Sequence, residues 1–149
     1  MARTLEIVST RTAFLILREA FYGATRFEQF VERCGVSEPV AAARLRELTE
    51  DGLLVRDPYQ DPGQRRRYAY RLTRKGSDLL PVIVALFDWG DRWGLECGAR
   101  VQLRHAGCGA AVHARLACDA GHDVAGESLE LGVKAPRARR AIDAPASSS

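Results

Sequence analysis

The feature that most constrains this chain is a single change of hydrophobic period. Up to about residue 52, apolar side chains recur at helical spacing. Across "LLVRDPYQDPGQRRRYAYRL", residues 53 to 72, that spacing lapses, Tyr68, Tyr70 and Leu72 alternate with Arg67, Ala69 and Arg71, and helical spacing then returns. The stretch carries Pro58, Pro62 and Gly63 near its middle. It therefore reads as two strands, "LLVRD" and "RYAYRL", joined by a polar tip. The order is four helices, one hairpin and one helix: a mainly α fold with a small β hairpin.

The helical segments have legible ends. "ARTLEIV" and "TAFLILREAFYG" are separated near Ser9 and Thr10, and Gly23 stops the second. That second segment is apolar on nearly every side, which predicts burial all round. In "TRFEQFVERCG", Thr25 and Glu28 have the spacing of a capping box, and Gly35 ends the helix. "VSEPVAAARLRELTEDGLL" begins at Ser37, a good N-cap, with Pro39 tolerated in the first turn. Ala41, Leu45 and Leu48 form its buried stripe. Its outer face carries Pro39, Ala43, Arg46 and Glu50, flanked by Val40 and Arg44. Thr73 is expected to cap one long final helix, "RKGSDLLPVIVALFDWGDRW". Its apolar stripe, Leu80, Ile83, Phe87 and Trp93, with Leu79, Leu86 and Trp89 beside them, is too wide for one neighbour.

Two short helices joined by a tight turn form a helix-turn-helix, whose second helix fits a DNA major groove. The hairpin that follows carries Gln64, Arg65, Arg66 and Arg67. Guanidinium groups crowded on a tip repel one another unless they face water or an anion, and here the expected anion is the phosphate of double-stranded DNA. The net charge is only +3, so any such footprint is local. No Gly-x-Ser-x-Gly elbow, HExxH pair, phosphate-binding loop or dinucleotide fingerprint occurs, so the pattern points away from an enzyme. No apolar run approaches a membrane span and no apolar leader follows Arg3, so the cytoplasm is expected. A protein-interaction or metal- or redox-sensing module without operator binding is the alternative.

Several stretches together resemble the HxlR-type winged-helix transcriptional regulators of bacteria: "FLILREAFYGATRFEQF", the Ser37-led helix, "RLRELTEDGLLVRDPY" and "YAYRLTRKGSDLLPVIVALFDWG". The resemblance covers roughly residues 2 to 93. It implies a homodimer on a pseudo-palindromic operator, with recognition helix 37–51 and wing 58–66. It also implies that Arg26 touches the DNA backbone, and that a small-molecule or redox effector of unknown identity acts on the protein. Dimerisation through the N-terminal and long C-terminal helices draws in Leu5, Phe14, Leu17, Leu80, Ile83, Phe87 and Trp93. Members often carry a Trp where this chain has Thr12. Many redox-sensing members carry a cysteine just before the first helix, where this chain starts with Met1.

Three zones follow: a winged domain over 1–93, a Cys/His-containing β extension over 94–132, and a basic tail over 133–149 of disordered composition. In the extension, His105 and Cys108 precede Cys118 and His122, spaced as two ligand pairs, with Gly109 as at the tip of a zinc knuckle. Four such donors suit tetrahedral zinc; a β hairpin with incidental cysteines is the competing reading. Relatives of the family that carry a zinc-ribbon-like segment have a Cys where Gly121 stands. Cys34, alone in the winged domain, reads as a small buried hydrophobe.

Overall fold

A computed structural model describes residues 2–8, 10–60, 63, 67–94 and 102–132. Its helices are α1 (Ala2–Val8), α2 (Arg11–Phe21), α3 (Phe27–Cys34), α4 (Glu38–Glu50), α5 (Arg74–Ser77) and α6 (Leu80–Arg92). Its strands are β1 (Leu54–Tyr59) and β2 (Arg67–Leu72), between α4 and α5. The strands pair antiparallel from Leu54 opposite Leu72 to Tyr59 opposite Arg67. An isolated bridge ties Arg26 to Ala69 of β2. The chain divides into two compact units, Met1–Ala114 and Arg115–Ser149.

The core of the first unit is drawn from nearly every element. Ile16 and Leu17 of α2, Phe30 of α3, Leu45 and Leu48 of α4, and Leu53 and Leu54 at the hairpin entry are all but fully buried. Each such side chain stabilises the fold by about 1.5–3 kcal/mol relative to exposure. Helix α2 departs from the expected all-round burial. Ala13, Ile16 and Leu17 make one dry face, while Phe14, Leu15, Ala20 and Phe21 are half-buried around it. Glu19 is also buried; its carboxylate accepts from Arg18 Nε at 2.9 Å and Nη2 at 2.7 Å, and Arg33 of α3 lies 3.9 Å away. A buried carboxylate needs such partners.

The caps correct two expectations. Helix α3 starts at Phe27 with Arg26 as its N-cap residue, so Glu28 is not the reciprocal cap. Gln29 takes that role, its Oε1 accepting from the backbone N–H of Thr25 (2.9 Å) and Arg26 (3.0 Å). The expected long final helix is two helices. Pro81 lacks the N–H needed to continue the first turn, so the chain breaks at Asp78–Leu79 and restarts with Pro81 at the start of α6.

Thr73 binds the hairpin exit to the end of α4. Its hydroxyl accepts from Gly76 N (3.1 Å) and donates to Gly52 O (2.7 Å), while its N–H donates to Leu53 O (3.0 Å). The approach leaves no room for a side chain at position 76. A Cβ there would stand 2.2 Å from the Leu53 carbonyl oxygen. In an ordinary helix Gly→Ala gains about 1 kcal/mol. Here Gly76→Ala is expected to lower stability by about 2 kcal/mol or more, because backbone must shift. A denaturant melt checks this, and an unchanged or raised midpoint contradicts the close contact.

Candidate nucleic-acid interface

The α3–turn–α4 pair is built by local chemistry. Gly35 takes φ 62°, a left-handed conformation that suits glycine, and turns the chain out of α3. Ser37 then occupies the N-cap of α4 in extended conformation, although its hydroxyl makes no capping bond. Helix α4 buries Ala41, Leu45 and Leu48 and turns Ser37, Glu38, Pro39, Val40, Ala42, Arg46 and Glu50 to solvent. Of the expected readers, Val40 (46% exposed) and Arg46 project into solvent, Arg46 paired at 3.9 Å with Glu50 one turn on. Ala43 is half-buried. Arg44 is held by the carboxylate of Glu47 one turn on. Ala42 joins this face although the helical count placed Ala43 there.

Beside this helix the hairpin presents cations stacked on rings. The Arg56 guanidinium lies 3.9 Å above the Tyr68 ring, and that of Arg26 lies 5.3 Å from the Tyr59 ring. Arg67 Nη1 donates to Glu28 Oε1 at 3.1 Å, and Arg71 pairs with Asp57 at 3.2 Å. Arg26 is placed by the bridge to Ala69 and by Tyr70 N, which donates to Thr25 O at 2.7 Å. The expected tip residues Gln64, Arg65 and Arg66 lie outside the described residues. Sequence reading missed Arg56, Tyr59 and Glu28. The strand period puts Arg56 and Tyr68 on one face, but only the pairing register brings them together.

The expected dimer residues divide. Leu17 and Ile83 are buried in the chain's own core, Phe14 and Phe87 are half-buried against it, and Leu80 is half-buried. Leu5 and Trp93 are exposed. The face that α6 leaves wet is Val82, Leu86, Trp89 (56% exposed) and Trp93 (67%), a stripe at helical spacing that takes in the expected Trp93 with the flanking Leu86 and Trp89 and adds Val82.

The Cys/His residues form two turns rather than strands. In the first unit His105 Nδ1 is 3.4 Å from Cys108 Sγ, within a turn closed by the Arg104–Ala111 bridge. Gly109 there has φ 70°. In the second unit Cys118 Sγ is 3.7 Å from His122 Nδ1, inside the Ala117–Asp123 bridge. The hydrogen bond from the His122 backbone lowers the Cys118 pKa below its ordinary value, with that from Ala120 adding to it. Each pair offers two donors where tetrahedral zinc takes four. Among the described residues no three His, Cys, Asp or Glu are grouped to hold a metal ion. Residues 102–114 belong to the first unit. Asp88 of α6 ties them there, accepting from His113 Nδ1 (3.0 Å) and Ala114 N (2.8 Å). Burial opposes ionisation of Asp88, yet these bonds outweigh it and its pKa lies below the ordinary value.

A helix-turn-helix followed by a hairpin and a trailing helix defines a winged-helix DNA-binding protein. The chain belongs to the HxlR-like helix-turn-helix family, whose pattern matches residues 7–97. It is 44% identical over 120 residues to an uncharacterised HTH-type transcriptional regulator of Mycobacterium tuberculosis, Rv3095, covering 79% of this chain and 74% of the other. The crystal structure of PA1607, a candidate transcription factor, superposes with a TM-score of 0.76 at 32% identity, over 88% of this chain and 92% of that one. A second candidate transcription factor, PA1374 of Pseudomonas aeruginosa, gives 0.62 at 34% identity over 89% and 90%. The protein is therefore a DNA-binding regulator of transcription, not an enzyme. No helix among the described residues is long and apolar enough to cross a membrane.

Burial, reinforced by the nearby Glu19 charge, pushes the Cys34 thiol up to about 11 from 9.0. At pH 8 that leaves about a hundredfold less thiolate than an ordinary thiol, since each unit is tenfold. Iodoacetamide at pH 8 should therefore modify exposed Cys108 and Cys118 well before Cys34, as followed by peptide mass mapping. Equal rates would show that Cys34 is neither shielded nor inert.

Proposed function

We propose that the protein acts in the cytoplasm as a homodimer on a pseudo-palindromic DNA site, to repress or activate transcription under control of an effector. Helix α4 enters the major groove, and the hairpin lies on the flanking backbone or in the minor groove. The observation that carries this is the outer face of α4. It leaves Val40 and Arg46 in solvent, in the same unit as the ring-stacked arginines of the hairpin. Val40 and Ala43 suit thymine methyl groups, and Arg46 suits the two acceptors of guanine. Arg44 reaches a phosphate only by leaving Glu47. Arg26 and Arg67 supply backbone contacts, with Gln64, Arg65 and Arg66 extending the wing.

Selection of bound fragments from genomic DNA yields the motif and the spacing of its half-sites. On that motif, Arg46→Ala should cost about 1–3 kcal/mol while leaving affinity for scrambled DNA nearly unchanged. Fluorescence anisotropy on both duplexes decides. Equal losses on the two would make Arg46 a phosphate contact, and no loss on either means α4 docks differently. Arg67→Ala should reduce the salt slope of log affinity by about 1, as one phosphate contact is lost.

A second copy is the natural cover for the α6 stripe. One recognition helix reads few base pairs, and two half-sites about 34 Å apart or a multiple of that require paired chains. Two tryptophans beside a Leu and a Val make a patch that water solvates poorly. Sedimentation at micromolar concentration should give a dimer for the natural chain and a monomer for Trp89→Glu. A natural chain that sediments as a monomer refutes the assembly.

A further inference from the structure

Between the start of α3 and the hairpin lies an open cleft of about 320 Å³ that neither the helix-turn-helix nor the dimer stripe explains. Its walls are Phe27, Glu28, Tyr59, Arg67, Tyr68 and Tyr70. Four aromatic rings and one opposed charge pair resemble the usual make-up of a small-molecule site, an apolar surface with a few polar groups to orient the occupant. We propose that this cleft binds a small planar aromatic anion, and that the occupied cleft weakens DNA binding. The second half of the proposal rests on the DNA-binding reading above.

The rings select a flat partner, because offset or edge-on contact between aromatic rings is favourable beyond area alone. The charges select its sign. Among the described residues the guanidinium groups of Arg26, Arg56 and Arg67 stand on or among the rings, and Glu28 is the one carboxylate in the walls. A cation is disfavoured twice. It meets this positive surplus, and the faces of Tyr59 and Tyr68 already carry guanidinium groups. Arg67 is the handle for an anion. Its bond to Glu28 is exposed on both sides, with side-chain exposures of 48% and 61%, and such a pair is easily exchanged. A ligand carboxylate takes over the guanidinium as a fork-shaped pair, and Glu28 stays hydrated. The same guanidinium is wanted by DNA phosphate. Arg26, stacked on a wall ring of the cleft, is the other backbone candidate. Ligand and phosphate therefore compete for one group, and each lowers the affinity of the other by the same factor.

The test is calorimetric titration of the full chain, without DNA, using 2-naphthoate as the probe. Naphthalen-2-ylmethylammonium tests the sign of charge and cyclohexanecarboxylate tests the ring. The expected result is saturable binding of one naphthoate per chain, with both comparison compounds at least about tenfold weaker. Tyr68→Ala should weaken naphthoate about tenfold or more, and Glu28→Gln should tighten it severalfold by removing the competing carboxylate. No saturable heat with naphthoate overturns the proposal, as does equal binding of the ammonium compound. Unchanged affinity in a natively melting Tyr68→Ala also overturns it. Should Tyr68→Ala fail to fold, the exposed Glu28→Gln variant decides, and absence of tightening sinks the idea. A second arm measures affinity for the selected DNA motif at saturating naphthoate, where a loss of about tenfold is expected. Naphthoate binding with DNA affinity unchanged removes the effector role. A chain that binds naphthoate but no DNA motif keeps the cleft and refutes the DNA-binding reading. One that binds the motif without naphthoate heat does the reverse.

Discussion

The geometry of this regulator depends on one backbone approach, that of the start of α5 to the turn that follows α4. Leu53 O receives the N–H of Thr73, the Thr73 hydroxyl reaches Gly52 O, and Gly76 is bare because that carbonyl occupies the space of a side chain. These contacts close a ring of chain that runs out along the hairpin and back. With the ring closed, the strand register is set by its two ends: Leu54 faces Leu72, and every later pair follows. Arg56 then shares a face with Tyr68, and Tyr59 comes opposite Arg67. The position of each cation on the wing is thus a remote result of a contact at its root.

Electrostatics complete the arrangement. Around helix α4 and the hairpin several arginines are parked on partners: Arg44 on Glu47, Arg46 on Glu50, Arg67 on Glu28, Arg71 on Asp57, and Arg26 and Arg56 on tyrosine faces. Exposed pairs of this kind are weak. They add little stability, so in the complex proposed above their exchange for phosphate costs little. The buried Glu19 contrasts with them. It lies among Arg18 and Arg33 in the interior of the α2–α3 packing, where loss of a partner is expensive.

Much of this was legible in the sequence, and the rest was hidden for identifiable reasons. Helices α2, α3 and α4 announced themselves because apolar spacing and glycine stops are local signals. The break before α6 was written in Pro81, but the Leu, Val and Ile residues on both sides of it masked it. Helix α6 carries apolar residues on two faces. Composition alone does not tell which face meets the core, and the tertiary structure assigns Ile83 and Val84 inward and Leu86 and Trp89 outward. The ring–cation pairs of the wing were illegible because they join residues across strands whose register depends on a distant joint. For the Cys/His turns, spacing foretold two pairs: His105 with Cys108, and Cys118 with His122. Spacing carries no information on whether pairs assemble.

The tryptophans of α6 have a consequence for gene dosage. In the dimer proposed above, a chain with bare Trp89 and Trp93 is half of a reading head, and a full head forms only when two chains meet. While single chains predominate, the number of complete heads grows with the square of the amount of protein made. A modest change in synthesis is thereby sharpened into a larger change in operator occupancy. A cell using such a regulator obtains a threshold from the hydrophobicity of one helix face, with no additional component.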